Sequence, residues 1–169
     1  LLPSLIFGMI DDPLSKREKA TDWSLEIIGN GPDKDLLQKL IIGLGLEQKV
    51  ILSPATPHIR EKYLTASIYA MTSRYEGLPM VLLEAQAYGL PIVSYDCKCG
   101  PKDIINDGIN GYIIPMKNRE LFAEKLLTLI NDQELRERMG REAYSSSKKF
   151  DEEHIMNQWT SLFDRILHG

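Results

Sequence analysis

The chain is short of the residues that staple or ligate. It has only two cysteines, Cys97 and Cys99, with one residue between them, a spacing that suits neither a disulfide scaffold nor a complete zinc site without other ligands. A reduced, cytoplasmic setting is the simplest expectation. The three histidines, His58, His154 and His168, are scattered, so no histidine-built metal site or triad can be read. Asp96 and Asp103 form no D-x-D pair, and metal independence is expected. A basic excess is also lacking. The net charge is −4 with both signs interspersed, which argues against a broad nucleic-acid-binding face. Any anionic ligand must therefore be gripped locally. No apolar run approaches the roughly 18 residues that span a bilayer. The opening LLPSLIFGMI lacks the basic flank of a signal peptide, so a soluble domain is expected.

What is present fits one compact unit over residues 1–169. A hydrophobic content of 43% is enough for a single core at this length. Strand-length apolar segments alternate with helical patterns, the signature of βαβ units and a Rossmann-like parallel sheet flanked by helices, an α/β fold. The pattern predicts strands at residues 24–28, 50–52, 68–72, 91–94 and 112–114. It predicts helices at 2–10, 33–43, 59–65, 79–88 and 119–131, then two charged helices interrupted by Gly140 and the serine run 145–147. Ligands of such sheets bind beyond the C-terminal strand ends, where the loops at 29–32, 53–54, 73–78 and 96–101 should converge. Gly29-Asn30-Gly31-Pro32 lacks the third glycine of a dinucleotide fingerprint and reads as a structural turn. Asp107-Gly108 and Asn110-Gly111 read as ordinary turns as well.

The most informative stretch is RYEGLPMVLLEAQAYGLPIVS, residues 74–94. Glu76 and Glu84 lie in it with seven residues between them. Gly77 and Pro79 end a strand and open a helix, with Pro79 at its first position. The free amides of Met80 and Val81 then sit in a first turn that carries about half a positive charge and binds phosphate readily. Gly77 lets a ligand come close to the backbone. Leu78, Val81, Leu82, Ala85 and Tyr88 share one helical face, and Glu84 falls on its flank, about 100° from the centre. Helical side chains lean toward the N-terminus, so Glu84 points at whatever the helix start holds. An ionised carboxylate accepts two hydrogen bonds from neighbouring hydroxyls, as the acidic residue of dinucleotide-binding proteins does with a ribose diol. Glu76, on the turn, lies on the far side of the phosphates. Asp96, just past the fourth strand, either accepts a hydroxyl or caps the next turn.

The motif EGLPMVLLEAQAYGLPIV resembles the E-x7-E donor motif of the retaining glycosyltransferases of family 4, which have the GT-B fold, and the likeness is greatest to capsule and lipopolysaccharide enzymes. It extends to IIGNGP at 27–32, SYDC at 94–97 with Gly100-Pro101, and DGINGY at 107–112, so nearly the whole chain resembles the C-terminal nucleotide-sugar domain of that family. The resemblance implies that Glu84 binds the donor ribose and that Glu76 binds the transferred sugar and serves catalysis. By the same likeness Gly77, Leu78, Pro79 and Met80 line the diphosphate, and the loop at Ser53 meets the base. It implies a nucleotide diphosphate sugar, commonly a UDP-sugar, as co-substrate, with no other cofactor. The acceptor would be a saccharide or lipid-linked saccharide bound through an N-terminal domain, and the parent enzyme would be cytoplasmic, peripheral to the inner face of the membrane. The chain departs from the family loop GGxxE, with Cys99 at the first glycine and Asp103 at the glutamate. It begins at Leu1 without the strand and basic GRLxxxKG loop that open this domain, so it reads as a C-terminal fragment, inactive in transfer by itself. Two alternatives are a sugar-nucleotide epimerase, which the EGLP turn and motif spacing disfavour, and a non-catalytic binding or assembly module. On the last helix Ile155, Trp159, Leu162 and Ile166 form an apolar stripe, expected to be partly exposed or covered by another copy of the chain.

Overall fold

The computed structural model describes residues 7–11 and 23–168. Its centre is one six-stranded sheet in the order β3-β2-β1-β4-β5-β6. The strands are β1 (Phe7–Asp11), β2 (Ser24–Ile28), β3 (Val50–Ser53), β4 (Ile68–Met71), β5 (Ile92–Tyr95) and β6 (Gly111–Ile114). The helices are α1 (Lys34–Gly43), α2 (Ile59–Thr65), α3 (Met80–Ala87), α4 (Pro101–Ile104), α5 (Arg119–Asn131), α6 (Gln133–Ser147) and α7 (Glu152–His168), with a 3-10 turn at Lys148–Phe150. Strands β2 to β6 run parallel, and β1 is inserted antiparallel between β2 and β4.

Every strand expected from the sequence is present within a residue or two. The helix expected at residues 2–10 is not: Phe7–Asp11 is strand β1, and residues 2–6 lie outside the described residues. A short apolar run bounded by turn residues cannot be assigned by period alone. Here it is hydrogen-bonded to neighbours on both edges, where central strands read as continuous apolar sequence.

Alternation along the strands builds a core on each face of the sheet. Tyr69, Met71 and Ile92 pack with Tyr63, Leu82 and Ala85 from α2 and α3. Ile68, Ala70 and Val93 pack with Phe122, Leu129 and Met139 from α5 and α6. Asp132 ends α5 and starts α6, its carboxylate accepting from the Leu135 amide at 2.9 Å, which supplies the first turn with an acceptor.

Gly140 does not interrupt α6, and residues 145–147 form that helix's last turn. A Cβ at Gly140 would overlap the Gly89 carbonyl oxygen. Glycine is therefore there because α6 crosses the turn after α3 at backbone contact, a packing need that outweighs the roughly 1 kcal/mol glycine costs in a helix.

Candidate functional site

Because β2 to β6 are parallel, the loops that follow them gather at one edge, and the structure ties them in two pairs. The Gly29 amide donates to the Ser53 carbonyl at 2.9 Å, and the Ala55 amide to Asn30 Oδ1 at 3.2 Å, joining the loops after β2 and β3. In the other half, Tyr75 and Lys98 form a parallel bridge, and the Glu76 amide donates to the Lys98 carbonyl at 3.4 Å. The loop after β5 lies against the turn that opens α3: Gly100 has φ 98°, and a Cβ there would overlap the Pro79 ring. Cys99, at the position of the first glycine in the loop it resembles, also has a left-handed φ of 68°, a conformation that favours glycine and is strained for other residues.

The turn itself has two distinct sides. Pro79 is buried and stands at the N-cap of α3, one residue earlier than expected. Its ring offers no acceptor, so the first turn has no side-chain cap. Gly77 is exposed, and a Cβ there would meet nothing within 4 Å. Neither packing nor backbone conformation demands glycine at that point. Leu78 and Met80 are exposed, so Leu78 does not join the buried face. It precedes the helix, and the helical angle assigned to it does not apply. Leu82 and Ala85 hold that face with Gln86, whose Nε2 donates to the Ile104 carbonyl at 2.9 Å.

Glu84 is exposed on the flank of α3, where the helical angle placed it, and its Oε2 accepts from the Tyr63 hydroxyl at 2.9 Å. Tyr63 is buried, its ring stacked on Tyr88 with centroids 5.2 Å apart and tilted against Tyr69. Burial first, and then the Glu84 carboxylate, push the Tyr63 phenol above its ordinary pKa, so the hydroxyl keeps its proton and is the donor. Glu76 is half-buried. Its charge, after burial itself, raises the pKa of the buried Cys97 thiol.

The outer expected residues are already engaged within the protein. The Ser53 hydroxyl donates to Glu26 Oε1, and Lys62 Nζ approaches the two oxygens of that carboxylate at 2.8 and 3.0 Å. Glu26 is 8% exposed, so its charge needs these partners. Asp96 pairs with Lys102 at 2.6 Å. Glu26, Lys62 and Tyr63 were missed from sequence. A lone charge in the strand SLEII was the one available signal, and Lys62 and Tyr63 on α2 carried none. Among the described residues no group of three or more His, Cys, Asp and Glu side chains is placed to hold a metal ion, and no helix is long and apolar enough to cross a membrane.

Residues 13–146 match the family described as Glycosyl transferases group 1. The amylovoran biosynthesis glycosyltransferase AmsD of Erwinia amylovora is 37% identical over 158 residues, 94% of this chain and 44% of that protein, so the chain spans less than half of that relative. Among solved structures, a variant of S. aureus TarM in complex with fondaparinux, alpha-GlcNAc-glycerol and UDP superposes with a TM-score of 0.79 at 32% identity, over 86% of this chain and 30% of that one. The C-terminal domain of a glycosyl transferase group 1 family protein, LpcC, from Francisella tularensis superposes at 0.70 with 27% identity, over 78% of this chain and 71% of that one.

Proposed function

Since the chain belongs to the glycosyl transferases group 1 family, we propose that it is the donor-binding domain of a retaining glycosyltransferase acting on a nucleotide diphosphate sugar. The observation that carries this reading is the opening of α3. Its N-cap is a proline without an acceptor, and the glycine two residues earlier is required by neither packing nor backbone. That leaves the Met80 and Val81 amides for a diphosphate, whose charge the helix start stabilises, and leaves room at Gly77 for it to approach. Leu78, Pro79 and Met80 form the wall beside it.

In this reading Glu84 accepts hydrogen bonds from the ribose hydroxyls and Glu76 takes the transferred sugar. The amides stabilise charge as the diphosphate leaves, a preorganised electrostatic contribution that needs no proton transfer. The β3 edge at Ser53 receives the base through its loop backbone, because the serine hydroxyl is given to Glu26. Asp96 reaches a sugar hydroxyl only by releasing Lys102. The presence of UDP in the TarM complex supports a UDP-sugar donor. The acceptor is a saccharide or lipid-linked saccharide of a surface polysaccharide or lipopolysaccharide, bound by a further domain of a cytoplasmic enzyme peripheral to the membrane. No metal and no cofactor beyond the donor takes part.

The test is calorimetric titration of the intact protein with UDP, UDP-glucose, UDP-galactose, their N-acetyl forms and GDP-mannose, beside Glu84→Ala. Base-selective binding that weakens roughly 10- to 100-fold in the variant is expected, since hydrogen bonds to a charged carboxylate are lost. A folded protein that binds none of these ligands would overturn the reading. The exposed apolar face of α7 would then favour a non-catalytic assembly module.

A further inference from the structure

Adjacent residues of helix α2, Lys62 and Tyr63, hold partners in the two halves of the fold, Glu26 on β2 and Glu84 on α3. Lys62 holds Glu26, and through it Ser53, on the β3 side. Tyr63 holds Glu84 on the α3 side. The second contact is unequal in a telling way. Tyr63 is 3% exposed and fixed by its stack on Tyr88, whereas the Glu84 it binds is exposed. A solvated glutamate ordinarily samples many rotamers. This one is tethered at Oε2 by a hydroxyl that cannot move without unstacking a ring, while no described residue donates to Oε1.

We infer that Tyr63 is a positioning residue of the donor site, orienting the Glu84 carboxylate so that its other oxygen is presented to the ribose hydroxyls of the bound nucleotide. This rests on the donor-site reading and adds to it a residue that does not touch the ligand. Tyr63 acts before binding, by removing the rotamer freedom that Glu84 would otherwise lose on capturing a diol. A buried tyrosine also fills the core, so the hydroxyl must be separated from the ring.

Tyr63→Phe does this, because it keeps the ring and its stack and removes only the donor. The intact protein is titrated with UDP and GDP, and the tighter of the two is compared with its 2′,3′-dideoxy analogue in wild type, Tyr63→Phe, Glu84→Ala and the double variant. Tyr63→Phe is expected to weaken the natural diphosphate about fivefold, the scale of one net hydrogen bond, to leave the dideoxy analogue unchanged, and to add nothing on a Glu84→Ala background. Tyr88→Leu, which loosens the Tyr63 ring and leaves both partners of the hydrogen bond in place, gives the same selective loss in smaller measure and serves if Tyr63→Phe does not fold. Equal weakening of both ligands, or a full further loss on top of Glu84→Ala, would reduce Tyr63 to a core residue and overturn the inference while the donor site stands. If wild type binds neither diphosphate, or Glu84→Ala changes nothing, the donor-site reading itself falls and the role of Tyr63 with it.

Discussion

Helices α3 and α7 are opposites in both pattern and placement. The sequence of α3, MVLLEAQA, has apolar residues around most of its circumference. It packs against β5, α4 and α6, with Leu82, Ala85 and Gln86 buried. The sequence of α7 divides cleanly into a polar and an apolar side, yet none of its 17 residues is buried. Trp159 and Phe163 stack on each other at 5.8 Å and stay about half exposed. A segregated apolar stripe therefore reports that one side of a helix is suited to burial, and says nothing of whether the covering surface belongs to the same domain. The less segregated helix is the one with a buried face here, although its Met80, Glu84 and Ala87 are exposed.

This contrast is sharpest in stability. Leu82→Ala removes a fully buried side chain and should cost about 3 kcal/mol in chemical denaturation. A loss below about 1 kcal/mol would mean that α3 is less enclosed than its burial implies. Gly140→Ala comes next. In an open helix it would add about 1 kcal/mol of stability, but against the Gly89 carbonyl it should cost about 2 kcal/mol, and a gain would show that α6 and α3 are free to part. Trp159→Ser should be smallest, within about 0.5 kcal/mol, despite deleting the largest apolar side chain of α7. A cost as large as that of Leu82→Ala, measured on this chain alone, would mean that the stripe is covered after all and would erase the comparison.

The same contrast explains what could be read in advance. The five parallel strands followed from apolar runs separated by turn residues, and the gathering of their following loops at one edge followed from their shared direction. Glu84 fell on the flank of α3 because helical geometry alone fixes that angle. Pro79 and Leu78 were each misjudged by assuming that the helix began one turn position early, a boundary error where strand, turn and helix meet within a few residues. Gly140 read as a break because sequence shows what glycine costs a helix and hides the carbonyl that makes it necessary. Tyr63 was invisible for a related reason. Its meaning lies in a partner 21 residues away, and a tyrosine in a seven-residue helix looks like any core aromatic. The reversal of β1 was also beyond reach, since an apolar run carries no arrow.

That reversed strand has a consequence for how far apart the two halves of the sheet lie. On either side of it the sheet has a parallel half, β2 with β3 and β4 with β5 and β6. Within the sheet the halves are hydrogen-bonded through β1, whose Ile10 pairs with Leu25 on one side and Ile68 on the other. The pair with Leu25 closes over 15 residues and the pair with Ile68 over 58, so the β1–β4 edge carries the larger loop-closure cost and is expected to form later. Inserting one strand also sets their separation: without it β2 and β4 would draw together by one strand spacing, about 5 Å, far beyond what a hydrogen bond tolerates. The distance between Ser53 and Glu84, which in the proposed reading meet one ligand, is thus set by an antiparallel strand lying between their halves of the sheet.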